Sequence, residues 1–331
     1  MINTRNVGIT GTGSFVPEKI LTNADLEKIV DTTDEWITTR TGIKERHVSD
    51  EKTLTSDMAA EAGRRAMEAA GITPDDVELI LVATCSPDAL IPSTACFTQD
   101  KLGCKNAGAF DLNAGCTGFI YGVSFASSLV ASGAYNTILV IGAESLTKVL
   151  DWQDRNTCVL FGDGAGAAVI QPVEEGFGII GHSLGSDGSG AAYIELPAGA
   201  AKLPASHETV DNRQHFIKMK GNDVFRFAVS IFDKISKVTL DKIGMTYDDI
   251  DLIVPHQANN RILEAAARKM KVGEDKIYSN LARFGNTSAA SVPIALDEVV
   301  RNGKVKKGDN LLLVAFGAGL TYGSIVLKWA K

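Results

Sequence analysis

The chain repeats itself once along its 331 residues. DDVELILVATCSPD begins at residue 75 and DDIDLIVPHQANN at 248, so that Val77 matches Ile250, and Leu79 and Ile80 match Leu252 and Ile253. Further on, ILVIGA at 138–143 matches LLLVAF at 311–316. The offset is 250 − 77 = 173 for the first pair and 311 − 138 = 173 for the second. A constant offset over separated segments marks duplication of a whole folding unit, in two copies rather than as a solenoid. The chain divides into two like halves, 1–173 and 174–331, and its fold must supply one architecture twice.

Both copies carry the same series of predicted elements. A helix (54–70, then 222–243) leads into a short β-branched strand, and a second helix follows at 93–102 and 258–270. Then come another strand, an apolar helix (117–132, 288–301), a strand (137–142, 310–315) and a Gly-rich turn into a last strand (164–170, 322–329). Helices alternating with fully apolar strands imply sheets covered on both faces. Two such units packed together make a five-layered α/β/α/β/α sandwich. Segments 31–50 and 182–220 are richer in polar and turn residues and read as insertions above the core, where ligand-binding loops belong.

Apolar residues make up 45% of the chain, ample for such a core, and the net charge is −7. An acidic balance argues against general nucleic-acid binding. The five cysteines (85, 96, 104, 116, 158) are odd in number and form no CxxC pair. That argues against a disulfide framework and a zinc site, and suits a reducing cytoplasm. MINTRNVGIT lacks the basic stretch and apolar run of a signal peptide. The 117–132 helix is interrupted by Ser, Gly and Ala and leads directly into a strand, so it reads as a core helix rather than a membrane span. GITGTGSFVP starts like a dinucleotide fingerprint, but Val16 stands at the third glycine position and a proline follows. GDGAGA and FGAG lack the Lys-Ser/Thr of a phosphate loop, and their glycines are read as allowing close backbone approach in tight turns.

Three residues close apolar runs at places where chemistry collects. Cys116 stands in AFDLNAGCTGF, where a strand breaks and a helix begins. The positive end of a helix and its free N–H groups favour a thiolate there, although most free cysteines are small buried hydrophobes. His256 follows the apolar run DLIV and Pro255, at the strand end where α/β sheets bind ligands. Asn286, in RFGNTSAA, precedes the helix that matches the one after Cys116. Each alone has a structural explanation, an N-cap or a turn for Asn286. Together they offer a thiol that attacks and two neutral donors that stabilise negative charge on an oxygen.

With these residues in view, the chain resembles β-ketoacyl-acyl-carrier-protein synthase III, of the thiolase superfamily. The likeness runs from end to end: WITTRTGI at 36–43, PSTAC at 92–96, AGCTGF at 114–119, FGDGAGA at 161–167, MKGNDVF at 219–225, PHQAN at 255–259, GNTSAAS at 285–291 and FGAGLTYG at 316–323. A Cys/His/Asn set separates this family from elongating ketosynthases, which pair the cysteine with two histidines, and from thiolases, which use a second cysteine as base. The fold implied is a thiolase-like duplicated sandwich with mixed sheets. The activity implied is condensation of an acyl-CoA primer with malonyl-acyl-carrier-protein through an acyl-Cys116, without metal or other cofactor.

The resemblance also implies roles for further residues. Backbone N–H groups of Cys116 and Ala318 would form the oxyanion hole; Ala318 replaces an expected glycine, but the donor is main-chain. Trp36 and Arg155 would clamp the CoA adenine, with Arg40 near phosphate and Asn259 on the pantetheine arm. An indole face and a guanidinium plane suit a purine. The helix at 258–271 is basic in an acidic chain, and Arg261, Arg268 and Lys269 would dock the acidic carrier protein. Ile91, before PST, would shape the primer pocket of the partner in a homodimer. It replaces a Phe found in some acetyl-selective members and leaves room for branched primers. A related condensing enzyme of secondary metabolism, with another acceptor, is the alternative; a binding scaffold without catalysis would have no need of the Cys/His/Asn set.

Overall fold

A computed structural model describes residues 5–331; residues 1–4, at the start of the half 1–173 and of the segment read as lacking a signal peptide, lie outside it. One sheet is built from β1 (Val7–Phe15), β2 (Leu79–Ala83), β3 (Gly108–Leu112), β4 (Ile138–Glu144) and β5 (Gly164–Pro172), in the order β1-β5-β4-β2-β3. The other contains β6 (Gly178–Ser186), β7 (Leu252–Pro255), β8 (Asn310–Gly317) and β9 (Thr321–Lys328), in the order β6-β9-β8-β7. Both sheets are mixed, with parallel pairing at β2–β3, β2–β4 and β7–β8 and antiparallel pairing elsewhere. The duplication survives in the register: Leu79 pairs with Ile138, and Leu252 with Leu311, each shifted by the same 173 residues.

Strand alternation separates the layers. Leu79, Leu81, Leu311 and Leu313 point inward to a central core with Phe119, Val123, Val292 and Leu296 of the helices α3 (Gly118–Ala131) and α6 (Ser291–Arg301). Ile80, Val82, Leu139 and Ile141 point outward onto α1 (Thr55–Ala70) and α2 (Thr94–Leu102). On the opposite side, Leu312 and Val314 pack with α4 (Gly221–Ile243) and α5 (Asn260–Met270). The result is the five-layered sandwich, and each fully buried aliphatic side chain contributes about 1.5–3 kcal/mol. No helix among the described residues is long and apolar enough to cross a membrane.

Several expectations need correction. Residues 182–186 belong to the core strand β6, not to an insertion. That strand is a sheet edge, partly exposed and glycine-rich, so it lacks the apolar run that announces a buried strand. The second copy's counterpart of β3 is a single bridge, Ile253 to Ile277. The second apolar helix opens as a 3-10 turn, Ser288–Ala290, before α6. The glycines of GDGAGA lie mainly in β5 rather than in a turn; a Cβ on Gly166 would come within 2.6 Å of the Ile294 nitrogen in α6. Gly11 and Gly13 of GITGTG likewise let β1 press against the α1 backbone.

Candidate active site

Cys116 sits in the bend between β3 and α3, two residues before the helix begins. Gly115 adopts φ +57, and a Cβ there would lie 2.8 Å from the Ala318 nitrogen. A Cβ on Gly317 would lie 2.6 Å from the Cys116 nitrogen. Small residues thus let loops of the two halves meet backbone to backbone. Burial pushes the Cys116 thiol up to about 11; the Ser288 hydroxyl pulls it down, Glu144 pushes it up, and the N–H groups of Ala318 and Cys116 pull it down. The thiolate expected from the helix end is therefore not the resting state. Residue 116 precedes the helix and is desolvated, and desolvation wins.

His256 follows β7, its N–H donating to the Val314 carbonyl at 2.8 Å. Its imidazole stacks edge-on against Phe316, 5.4 Å between centroids. The Ser291 hydroxyl lies 2.6 Å from Nδ1. Ser291 Oγ also accepts the Gln257 N–H at 3.4 Å. When the Ser291 proton goes to Nδ1, Nε2 carries the ring hydrogen and faces outward as a donor. Burial pushes His256 down to about 3, so the ring is neutral at physiological pH. Gln257 braces this loop: its Nε2 donates to the Tyr278 carbonyl at 3.1 Å and its Oε1 accepts the Asn280 N–H at 3.1 Å.

Asn286 is pinned by its main chain, its N–H donating to the Leu160 carbonyl at 2.8 Å and its carbonyl accepting the Gly162 N–H at 3.0 Å. Its side-chain Oδ1 accepts the Ser288 N–H at 2.8 Å, which leaves the NH2 group as the free donor. Cys116, His256 and Asn286 line one cavity of about 160 Å³, shared with Phe225, Met219 and Asn259. Met219 and Ile194 come from a two-stranded ribbon that roofs it. A wider cleft of about 640 Å³ between Arg5 and Lys328 carries no comparable grouping, so chemistry rather than volume singles out the site.

Of the other expected residues, Asn259 lines this cavity and the rest lie outside its lining. Trp36, half-buried on the helix Asp34–Thr41, has Arg40 4.9 Å and Arg155 5.2 Å from its ring centroid. Asn259 caps α5 and its Nδ2 donates to the Arg40 carbonyl at 3.0 Å. Arg261 lies 5.6 Å from the Phe225 ring, Arg268 is exposed, and Lys269 donates to the Ser230 carbonyl. Ile91 is 88% exposed and lines no part of the cavity. Among the described residues, no group of three His, Cys, Asp or Glu side chains could hold a metal ion. Sequence reasoning assigned no role to Ser288, Ser291 or Glu144. The two serines lie within GNTSAAS, and Glu144 closes the apolar run ILVIGAE, which was the available signal.

The sequence profile for 3-oxoacyl-acyl-carrier-protein synthase III matches residues 110–188, and the profile of that family's C-terminal part matches 240–329. The β-ketoacyl-acyl-carrier-protein synthase III of Caldanaerobacter subterraneus subsp. tengcongensis is 58% identical over 324 residues, 98% of this chain and 98% of the relative. A crystal structure of the corresponding synthase III from Thermus thermophilus superposes with a TM-score of 0.91 at 44% identity, covering 98% of this chain and 99% of that one. The Aquifex aeolicus structure gives 0.90 at 43% identity, covering 98% and 100%.

Proposed function

The chain belongs to the β-ketoacyl-acyl-carrier-protein synthase III family, and from that premise we propose how its residues divide the work of this condensing acyltransferase, which initiates fatty acid synthesis. In the first stage the Cys116 sulfur attacks the thioester carbonyl of an acyl-CoA. The tetrahedral oxygen is held by the N–H groups of Cys116 and Ala318, and CoA leaves. In the second stage malonyl-acyl-carrier-protein takes its place and loses CO2. The resulting enolate oxygen accepts hydrogen bonds from His256 Nε2–H and the Asn286 NH2, and its carbon attacks acyl-Cys116. The product is 3-oxoacyl-acyl-carrier-protein, and the Cys116 sulfur is set free. A neutral histidine suits this role, because it donates a hydrogen bond without surrendering a proton to the enolate. Neither stage calls on a metal or redox cofactor.

The observation that carries this reading is the convergence of Cys116, His256 and Asn286 on one small cavity from three separate loops. Further features support the partner contacts. Trp36, Arg40 and Arg155 lie together and offer an indole face and guanidinium groups to a purine and its phosphates, with Arg155 moving off the ring to admit the base. Asn259 joins that group to the cavity, and Arg261, Arg268 and Lys269 lie on the adjacent helix for the carrier protein. The loop between β5 and β6 is the natural boundary between halves 1–173 and 174–331. A homodimer would pair the exposed edge strand β3 with its copy, covering Phe110 and Phe125 and carrying Ile91 to the partner's primer pocket. The free cysteines accord with a cytoplasmic setting.

Intact-mass measurement after incubation with a panel of acyl-CoAs tests the assignment. The protein gains one acyl group, Cys116→Ser gains none, and Asn286→Ala acylates but condenses about 10²–10³-fold more slowly, as expected for loss of one donor. Near-normal condensation by Cys116→Ser would sink the proposal.

A further inference from the structure

The second copy departs from the first at the point where its chemistry lies. In the first half, β3 runs beside β2 for five residue pairs, and the Thr84 N–H closes the ladder on the Leu112 carbonyl at 3.2 Å. In the second half the matching segment meets β7 only at the Ile253–Ile277 bridge, with the Tyr278 N–H on the Ile253 carbonyl at 2.9 Å. Beyond it the chain leaves the strand, forms the short helix Leu281–Phe284 and delivers Asn286 to the cavity. A buried segment without a ladder must find its hydrogen bonds, and its distance from β7, by other means.

The Gln257 side chain supplies both. It stands where Thr84 stands in the first copy (257 − 173 = 84), and it is 1% exposed. Its Nε2 donates to the Pro255 carbonyl at 2.9 Å, on the β7 side, and to the Tyr278 carbonyl at 3.1 Å, on the facing segment. Its Oε1 accepts the Ser279 hydroxyl at 3.0 Å and the Asn280 N–H at 3.1 Å. Carbonyls can only accept and an N–H can only donate, so the carboxamide has one orientation and no spare capacity. Asn280 in turn opens the short helix, its carbonyl accepting the N–H groups of Arg283 and Phe284. The Gln257 main-chain N–H reaches Ser291 Oγ, the oxygen 2.6 Å from His256 Nδ1. One side chain thus ties its neighbour His256 to the segment that ends in Asn286.

We propose that Gln257 is a positioning residue for the condensation stage: it sets the separation of His256 and Asn286, so that both donors reach a single enolate oxygen. Gln257 lines no part of the cavity and acts only through these two residues. Its hydrogen bonds all fall within the second half, whereas Cys116 is carried by the bend between β3 and α3 of the first. Acyl transfer from CoA uses Cys116 and its oxyanion donors and does not need the other pair aligned. Decarboxylation does, because its charge develops on the oxygen the pair must share. A misplacement of about 1 Å in such a pair costs on the order of 10²-fold in rate. The proposal rests on the reading of His256 and Asn286 as the enolate donors.

The test compares two rates in the same preparations. One is Cys116 acylation by acetyl-CoA, followed by intact mass. The other is condensation of the acylated protein with malonyl-acyl-carrier-protein, followed by CO2 release. Gln257→Met keeps the length and removes all four side-chain bonds. Gln257→Glu keeps the shape but turns an oxygen toward the Pro255 and Tyr278 carbonyls. Each should condense about 10²-fold more slowly, while acylation stays within about twofold of the unaltered protein. Combined with Asn286→Ala, Gln257→Met should lose less than the product of the two separate losses, because both changes act on one contact to the enolate. Ser279→Ala, at an exposed position, removes a single bond. It should show the same split at about threefold, in line with one neutral hydrogen bond, and it decides alone if the Gln257 variants do not fold. Equal losses in both rates, losses that multiply, or no loss in condensation overturn the role of Gln257. Unchanged condensation by His256→Ala would instead overturn the enolate reading beneath it.

Discussion

At the scale of single residues, burial decides the charge state of the site. His256 is pushed down to about 3 when folded, against about 6.5 for a free imidazole. Above pH 6.5 both folded and unfolded states hold it neutral, so it contributes no pH dependence there. Between 6.5 and 3 the unfolded chain binds the proton and the folded chain does not. Stability is therefore lost as pH falls through that window, by up to about 1.4 kcal/mol per pH unit. Thermal unfolding from pH 7 to 5 should show a shallower decline for His256→Asn than for the unaltered protein; parallel declines would mean the imidazole is not neutral in the fold. Cys116 and His256 were legible in the sequence because each follows the end of an apolar run, and Asn286 because it precedes the helix that matches the one after Cys116. Ser291 was not, since it matters only through His256, 35 residues away, and nothing local marks a serine in a helix as a tautomer lock.

At the scale of elements, α5 runs from the cavity to the exposed surface. Its N-cap, Asn259, lines the site, while Arg261 and Arg268 lie exposed along it. Charge on such a surface governs encounter more than chemistry. Arg261→Glu should raise the KM for malonyl-acyl-carrier-protein roughly tenfold at low salt while leaving the rate of acylation from acyl-CoA within about twofold. Equal loss in both assays would remove α5 from the docking surface. Most elements were readable because 3.6-residue and fully apolar patterns are strong where an element is covered on both sides. Long apolar strands such as β4 and β8 fall within a residue or two of expectation. The failures were β1 and β6, two of the four edge strands and the glycine-rich ones. Their glycines answer to neighbouring backbone, as Gly11 does to α1, and a pattern rule that reads one segment at a time cannot register a neighbour.

At the scale of the whole molecule, one sheet edge carries exposed aromatic side chains. β3 lies at the margin of the first sheet, with Phe110 and, beside it, Phe125 of α3 half-exposed in an edge-to-face pair. An apolar edge strand of this kind invites pairing with another chain. Phe110→Glu should shift the protein from dimer to monomer in sedimentation equilibrium; a monomeric parent would refute the pairing.

The contact of Gly115 and Gly317 has a mechanical meaning. The Cys116 sulfur hangs from one half of the molecule, and the Ala318 N–H beside it hangs from the other. No covalent frame fixes their separation; it is set by how the halves are seated along the buried seam. A displacement of about 1 Å in such a geometry costs on the order of 10²-fold in rate. Turnover is therefore a strain gauge for that seam, and it falls silent under distortions far too small to register as unfolding.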